Sequence, residues 1–574
     1  MAFSTNTLDL FLKEVNAIVQ NGDGAKLASY LIIEPPYGEI YQKMISEVRQ
    51  RFPKGNEDAL EQKVTALLSA ARHGIDGSPW TTFIKFIVPY LGFLRDVNLQ
   101  NLLDTYDLLS DVVQKCTAAL NHPSMGVIVL PTIVSYSKVL ARLAIGLDKK
   151  PELIAHLAQP AGDDDGAQET LPERAANILV AAFKTCLADR TSSTFGAKPG
   201  KPEGKKVGIY TIANVCLKIL FQCNKTRNAE HIFTNIYKQS PPLAIYPRQD
   251  RVTYLYYLGR YQFQNGHYYH SSQCLNEAYR LCPITFPRQR RLCLIYLITA
   301  NLLLGRFPSA ALLSREEAVG LADRFNPIIR TIKLGDLQTF RSVTSFQSPH
   351  AAWFLHFRIL LPIQSKAETL LLRTLIRRTF LLAGNMGDAD RRIAPTLDLE
   401  YVLHLWQWME RRILTPLSVL DGGPGKRHTN WIFMGDETPA EARYVDPDFQ
   451  GIEELEEEGS GWRAEPPLPD MMEVESLFAN MIEMGLLNGF VSHRQLRFAI
   501  TGARQKGALA AGFPPPWETF EGRLELDDVP GWKKEQKSAF DHGGRGPFAA
   551  FGGQVGPGTV INLSGARPVG TGFG

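Results

Sequence analysis

A helical apolar periodicity runs almost unbroken from about Val207 to Leu382 and constrains this chain more than any other feature. The period is interrupted mainly at Pro241-Pro242, Pro283, Pro308 and Pro349. Apolar residues at that spacing line one face of a helix, and such faces must be buried against other helices. The chain opens the same way: Leu8, Phe11, Leu12, Val15, Ile18 and Val19 follow the i, i+3, i+4, i+7 template. Strand-type alternation is almost absent before residue 489. For 574 residues, the expectation is therefore a long helical array, not the roughly four compact domains that about 150 residues each would give.

One segment has repeat character. Between Arg251 and Pro283, Leu258-Gly259 is followed by Ser271, Leu275, Ala278 and Pro283. These intervals match a tetratricopeptide helix-turn-helix, in which small residues let two helices approach and Pro ends the second. Asn265-Gly266 marks the turn between them. Further on the pattern changes. Lys366 to Leu382 is helical, Leu399, Val402, Leu403, Trp406 and Met409 form a second stripe, and Val474, Leu477, Phe478 and Met481 a third. Leu496, Phe498 and Ile500 then alternate with Gln495, Arg497 and Ala499, which is strand period. Three helices and a short strand pair around Ser492 to Arg494 make a winged-helix pattern. The fold class expected is all-α with a small terminal β element: an α-solenoid of tetratricopeptide-like repeats followed by a winged helix. The segments expected are a helical region over 1–158, linkers flanking one helix over 159–206, repeats over 207–365, a winged helix over 366–505 and a Pro/Gly-rich tail over 506–574.

Charge locates an insertion inside the winged helix. Residues 413–472 carry 13 acidic against four basic residues, a net of −9 within a chain of net +3, so the remainder carries +12. With Gly422-Gly423-Pro424-Gly425 and Glu465-Pro466-Pro467, this reads as a solvated insertion. The tail from Gly543 has 11 glycines in 32 residues and too few large apolar groups to offset its ordering entropy. The longest apolar run, Leu292 to Leu304, is 13 residues with Asn301 inside it, which suits a buried helix and not a bilayer span. No basic residue precedes the apolar positions of Met1 to Phe11, so no secretory signal is expected. The seven cysteines contain no C-x-x-C spacing and read as reduced thiols of a nuclear or cytosolic protein.

Helical repeats running into a winged helix resemble the PCI domain shared by the proteasome lid, the COP-nine signalosome and a translation initiation factor. Several strings narrow the resemblance: EPPYGEIY (Glu34 to Tyr41), DRVTYLYYLGR (Asp250 to Arg260), RQRRLCLIYLI (Arg288 to Ile298), LLLGRFP (Leu302 to Pro308), NMIEMGLLNGFVSH (Asn480 to His493) and FPPPW (Phe513 to Trp517). They are similar to the PCI-domain subunits of the second transcription–export (TREX) complex; the neighbouring signalosome-subunit-twelve-like branch shares the same core motifs, and the EPPY string near the N-terminus favours the export-complex branch. The resemblance is strongest over about 205–505. It implies a non-enzymatic adaptor that binds a large PCI-containing scaffold subunit and a small acidic subunit shared with the proteasome lid. It further implies a place at the nuclear face of the nuclear pore, contact with pore proteins through the scaffold, and a share in a basic nucleic-acid surface.

Catalytic chemistry finds little support in the residues. Gly200 to Lys205 has the wrong spacing for a phosphate loop and no Ser or Thr after the Lys. His267 and His270 share a helix turn, but no carboxylate completes a metal pattern. No cofactor, metal or membrane is expected. The basic clusters say more. From Leu281 to Arg341 there are nine Lys/Arg against four Asp/Glu, densest at Arg288, Arg290 and Arg291. Arg373 and Arg377 are four apart on one helix with Arg378 beside them, a like-charge pair that needs an anion. Gly489 to Lys506 holds His493, Arg494, Arg497, Arg504 and Lys506 and no acid. Each cluster can be a nucleic-acid contact or a solvated or salt-bridged face. The third helix exposes Glu473, Glu475, Ser476, Asn480 and Glu483, which would repel phosphate, so it is expected to face a protein, leaving RNA or DNA to the wing and to sequence-tolerant backbone contacts. The aromatics from Tyr254 to Tyr269 read as core packing or as a protein-binding groove. Two functions stay open: an adaptor that helps bind nucleic acid, and a purely structural PCI subunit of a signalosome- or lid-like complex.

Overall fold

The computed structural model describes residues 6–73, 77–98, 100–150, 152, 170–190, 197–198, 201–388, 393–414, 468–522 and 528–533. Most of the acidic insertion and the chain from 534 onward lie outside them, as do the expected linkers at 159–169 and 191–196.

The N-terminal helices are α1 (Thr7–Gln20), α2 (Gly24–Tyr30), α3 (Glu39–Arg51), α4 (Glu57–Leu67), α5 (Thr81–Asp96), α6 (Leu102–Leu120) and α7 (Gly126–Asp148). All six residues of the α1 stripe are buried. Helix α7 is long and apolar enough to cross a membrane by length and composition. Its Val129, Ile133, Leu140 and Ala144 are covered by α2, α6 and two later helices, α8 (Leu171–Leu187) and α9 (Ile209–Gln222). The EPPYGEIY string follows α2, where four tyrosines hold consecutive carbonyls. Tyr41, Tyr136, Tyr90 and Tyr37 donate to the backbone oxygens of Tyr30, Leu31, Ile32 and Ile33, the last three at 3.0 Å. A loop buried on one side needs such partners, because an unpaired buried carbonyl is costly.

A two-residue hairpin, β1 (Ala197–Lys198) with β2 (Lys201–Pro202), precedes the repeats. The repeats comprise α9, α10 (Glu230–Gln239), α11 (Arg248–Gln264), α12 (Tyr268–Leu281), α13 (Pro287–Leu303), α14 (Leu321–Leu334) and α15 (Leu337–Thr344). Every proline expected to break the helical period lies between helices. The α11–α12 pair has the close approach its small residues predict. A Cβ on Gly259 would sit 2.6 Å from Leu275 Cγ, and Ser271 Oγ donates to the Gly259 carbonyl at 2.8 Å. Gly266 makes the turn at φ +81°. All seven cysteines are buried and none forms a disulfide.

The solenoid ends in a winged helix: α16 (Glu368–Ala383), β3 (Thr396–Asp398), α17 (Leu399–Leu414), α18 (Met471–Glu483), β4 (Gly489–Ser492) and β5 (Arg497–Ile500). Its sheet is antiparallel in the order β3-β5-β4, with Leu397, Phe498 and Val491 in register. Phe478 of α18 packs on Phe498, ring centroids 5.3 Å apart.

Three expectations need correction. Strand β3 lies well before residue 489; only Leu397 of its three residues points into the core, too short a stretch to show alternation. Leu496 is not a strand residue. It sits in a left-handed turn at φ 49°, where its carbonyl accepts from the Leu399 amide, and β5 starts one residue later. The chain beyond 506 is not all tail. Short helices cover Ala508–Gly512 and Pro516–Gly522 (α19), and residues 528–532 pack back on the repeats, with Val529 fully buried.

Candidate nucleic-acid and partner interface

The wing is a tight β4–β5 hairpin. A side chain at Gly489 would collide with the Ala499 carbonyl and the Phe498 ring, so only glycine lets the strands close. The core-facing row of Leu397, Phe498 and Val491 leaves Asp398, Arg497 and Ser492 in register on the opposite face. Arg497 is exposed, with Nε 3.8 Å from Asp398 Oδ2, a loose surface pair worth at most about 1 kcal/mol. Arg494 is exposed in the turn at His493–Gln495. Arg504 and Lys506 are exposed just beyond β5, and Arg377 and Arg378 on α16.

The structure withdraws other residues from this surface. Arg373 is 8% exposed. Its Nε donates to the Leu486 carbonyl at 3.0 Å and its Nη2 to the Pro514 carbonyl at 2.6 Å. Burial, with Arg377 one turn away, pushes its pKa down to about 10. Arg290 is 7% exposed, bonded to Glu317 Oε1 at 3.0 Å and the Cys282 carbonyl at 2.7 Å, with its guanidinium 4.1 Å from the Tyr279 ring centre. Arg291 caps the Glu317 and Val319 carbonyls at 3.0 and 2.7 Å. Both like-charge clusters thus resolve into structural arginines beside exposed ones. In the 281–341 stretch, Arg306 stacks on Trp517, Arg315 and Arg324 on Tyr279 and Trp353, and Lys333 on Phe307. Of the densest triplet only Arg288 is exposed.

Helix α18 carries the acidic face. Glu473, Asn480 and Glu483 are exposed, and the Glu473 amide donates to the N-cap Asp470 at 2.7 Å. Glu475 is occupied within the chain: both its oxygens lie 2.9 Å from His493 Nδ1, tying α18 to the wing. Nearby on the same module Met472, Tyr401 and Trp408 are more than half exposed. Elsewhere, Lys205 of the rejected phosphate loop is buried and its amide donates to Asp189. Among the described residues no group of three or more His, Cys, Asp or Glu is placed to hold a metal ion.

No protein-family model matches the chain. Curated proteins do. A PCI domain-containing protein of Schizosaccharomyces pombe is 26% identical over 290 residues, half of this chain and 62% of that protein. A CSN12 homolog of Gibberella zeae is 27% identical over 393 residues, covering 66% of this chain and 71% of its own. A PCI domain-containing protein 2 homolog of Drosophila melanogaster is 28% identical over 224 residues, 38% and 52% of the two chains. The chain is thus similar to curated proteins named as PCI domain-containing proteins and as CSN12 homologs. The matches span between about half and seven-tenths of the relatives' own lengths.

Arg341 forms ion pairs between the repeats and the winged helix, a role that the sequence left open between a phosphate contact and a salt-bridged face. It binds Glu368 of α16 at 2.9 Å and Glu410 of α17 at 2.5 Å, and Glu410 also accepts from Trp406 Nε1 at 3.0 Å. Its partners lie 27 and 69 residues away, so no local pattern could have revealed them.

Proposed function

We propose that this protein is a non-enzymatic PCI subunit that acts as an adaptor coupling transcription to mRNA export at the nuclear face of the nuclear pore. In this reading it joins a large PCI-containing scaffold and a small acidic subunit, and its wing contributes to a sequence-tolerant RNA- and DNA-binding surface. The observation that carries the reading is the exposed basic set Arg377, Arg378, Arg494, Arg497, Arg504 and Lys506 on one winged helix, alongside an α18 face that is acidic and partly apolar. Phosphate is attracted to the first and repelled by the second, so the two surfaces suit different partners. A purely structural role is the second reading. It is favoured by the arginines of the repeats, most of which are consumed inside the fold.

Binding of the assembled complex to unrelated oligonucleotides across a salt series separates the two. Every phosphate that is no longer neutralised should lower the salt slope by about 0.7–0.9 and weaken binding to all sequences alike. Arg494→Glu with Arg497→Glu should reduce affinity while leaving Phe498 and the wing core in place. Unchanged affinity and slope in an intact complex would favour the purely structural subunit, and recovery of signalosome or lid subunits in place of an export scaffold from nuclear extract would replace the export assignment.

A further inference from the structure

The segment Asp528-Val529-Pro530-Gly531-Trp532 is seated on α10 and α11 in the manner of a bound peptide. Tyr254 Oη donates to the Gly531 carbonyl at 2.7 Å, and Gln262 Nε2 to the Pro530 carbonyl at 3.1 Å. The Tyr237 hydroxyl donates to the Asp528 carboxylate. Val529 is fully buried. Gly531 turns at φ +98° and lies so close that a Cβ there would be 2.8 Å from Leu258 and 3.4 Å from Phe233. The Trp532 amide closes the turn on the Val529 carbonyl at 2.8 Å. The receptor residues Tyr237, Tyr254, Leu258 and Gln262 come from the tyrosine-rich repeat helices, whereas the segment comes from a Pro/Gly-rich C-terminal region, some 270 residues away for the two backbone bonds. Two of the three side-chain hydrogen bonds are to backbone carbonyls, and specificity lies in one acid, one small apolar residue and a glycine that nothing larger can replace. That is how short linear segments are recognised: main-chain bonds supply affinity and a few pockets supply selectivity.

We propose that the α10–α11 face is a peptide-recognition site, occupied in cis by residues 528–532, whose ligand class is an acidic–apolar–Pro–Gly–aromatic segment. A tethered ligand holds its own site at an effective concentration of order millimolar, so a partner segment of the same chemistry enters only when the cis copy is weakened or released. The probe is a fluorescent peptide of residues 524–536, titrated by anisotropy against two forms of the full chain. One is unaltered; the other carries Val529→Asp and Gly531→Leu, which disable the cis copy and leave the receptor face unchanged. The peptide should bind the altered chain at least 10-fold more tightly than the unaltered one, and a peptide carrying Gly531→Leu should bind neither. Circular dichroism and thermal melting check that the altered chain is folded. A folded altered chain that ignores the peptide overturns the proposal, as does equal binding to both forms. An altered chain that fails to fold also overturns it, because the segment would then be core and not ligand.

Discussion

Arg373 and Arg377 lie one turn apart on α16, and their replacement should have opposite consequences. Arg373→Met keeps the apolar stem and removes the guanidinium, so the Leu486 and Pro514 carbonyls lose their donors. Hydrogen bonds to a charged donor contribute about 1.5–3 kcal/mol each. Against this, burying the charge is itself unfavourable, as the depression of the Arg373 pKa to about 10 records, and methionine relieves that cost. The Leu486 carbonyl belongs to a buried residue, while Pro514 is half-exposed and its oxygen can turn to water. The net destabilisation should be about 2–3 kcal/mol, felt where the wing and the 503–522 helices meet α16. Arg377→Gln touches an exposed side chain and should change stability by less than about 0.5 kcal/mol. The assay is urea unfolding followed by tryptophan fluorescence, with oligonucleotide binding measured in parallel. Arg373→Met should shift the unfolding midpoint and leave the salt slope of the remaining folded complex unchanged. Arg377→Gln should leave the midpoint and lower the slope. Equal destabilisation by both, or a salt-slope change confined to Arg373, would refute the division into structural and exposed arginines.

Gly259→Val should destabilise the repeats by about 1–3 kcal/mol through overpacking against Leu275, seen as a lowered unfolding midpoint. At Glu317, burial pushes the carboxyl pKa up, but the Tyr279 hydroxyl, its own backbone amide and Arg290 outweigh that and hold it below the ordinary value. Its contribution is therefore present above the unfolded pKa, about 4.3, and lost as pH falls through the depressed folded value, so Glu317→Gln should flatten the acid limb of a stability–pH curve. Deleting residues 422–465 should leave the fold and complex assembly intact, because the ends it joins are held outside it by the Gln407–Pro469 bond at 2.9 Å and the Asp470 cap; failure to capture the scaffold in a pull-down would show a docking role instead.

The helices were legible because each carries its own signal. The α1 stripe, the Gly259–Ser271 approach and the Phe478 and Phe498 core positions all encode burial at fixed local spacing. What was not legible depends on partners distant in sequence. Strand β3 contributes one inward side chain and is defined mainly by pairing with β5, about a hundred residues on, beside one bridge from Thr396 to Asn385. The 528–532 segment reads as tail because it lies between the Pro-rich stretch at 514–516 and the glycine-rich residues from 543 onward; the signal available is Val-Pro-Gly-Trp, an apolar turn with an aromatic that low-complexity sequence seldom contains.

The basic surface was legible only in part, for a reason that lies in arginine itself. A guanidinium has five donors and no acceptor, stacks on aromatic rings, and keeps its charge when buried. It therefore suits a phosphate and a cluster of helix-end carbonyls equally well, and sequence shows the donor without the acceptor. Arg290 sits one residue before Arg291 and two after Arg288, yet the first is enclosed by Glu317, Cys282 and Tyr279, the second is half-committed to loop carbonyls and the third faces solvent. Helical geometry rotates successive residues by about 100°, so a run of basic residues cannot present one face. A triplet on a helix is accordingly weaker support for a nucleic-acid site than separated residues brought together by tertiary structure. The binding hypothesis therefore rests on the wing more than on the repeats, because Arg494 and Arg497 are exposed on a turn and a strand that no buried acceptor has claimed among the described residues.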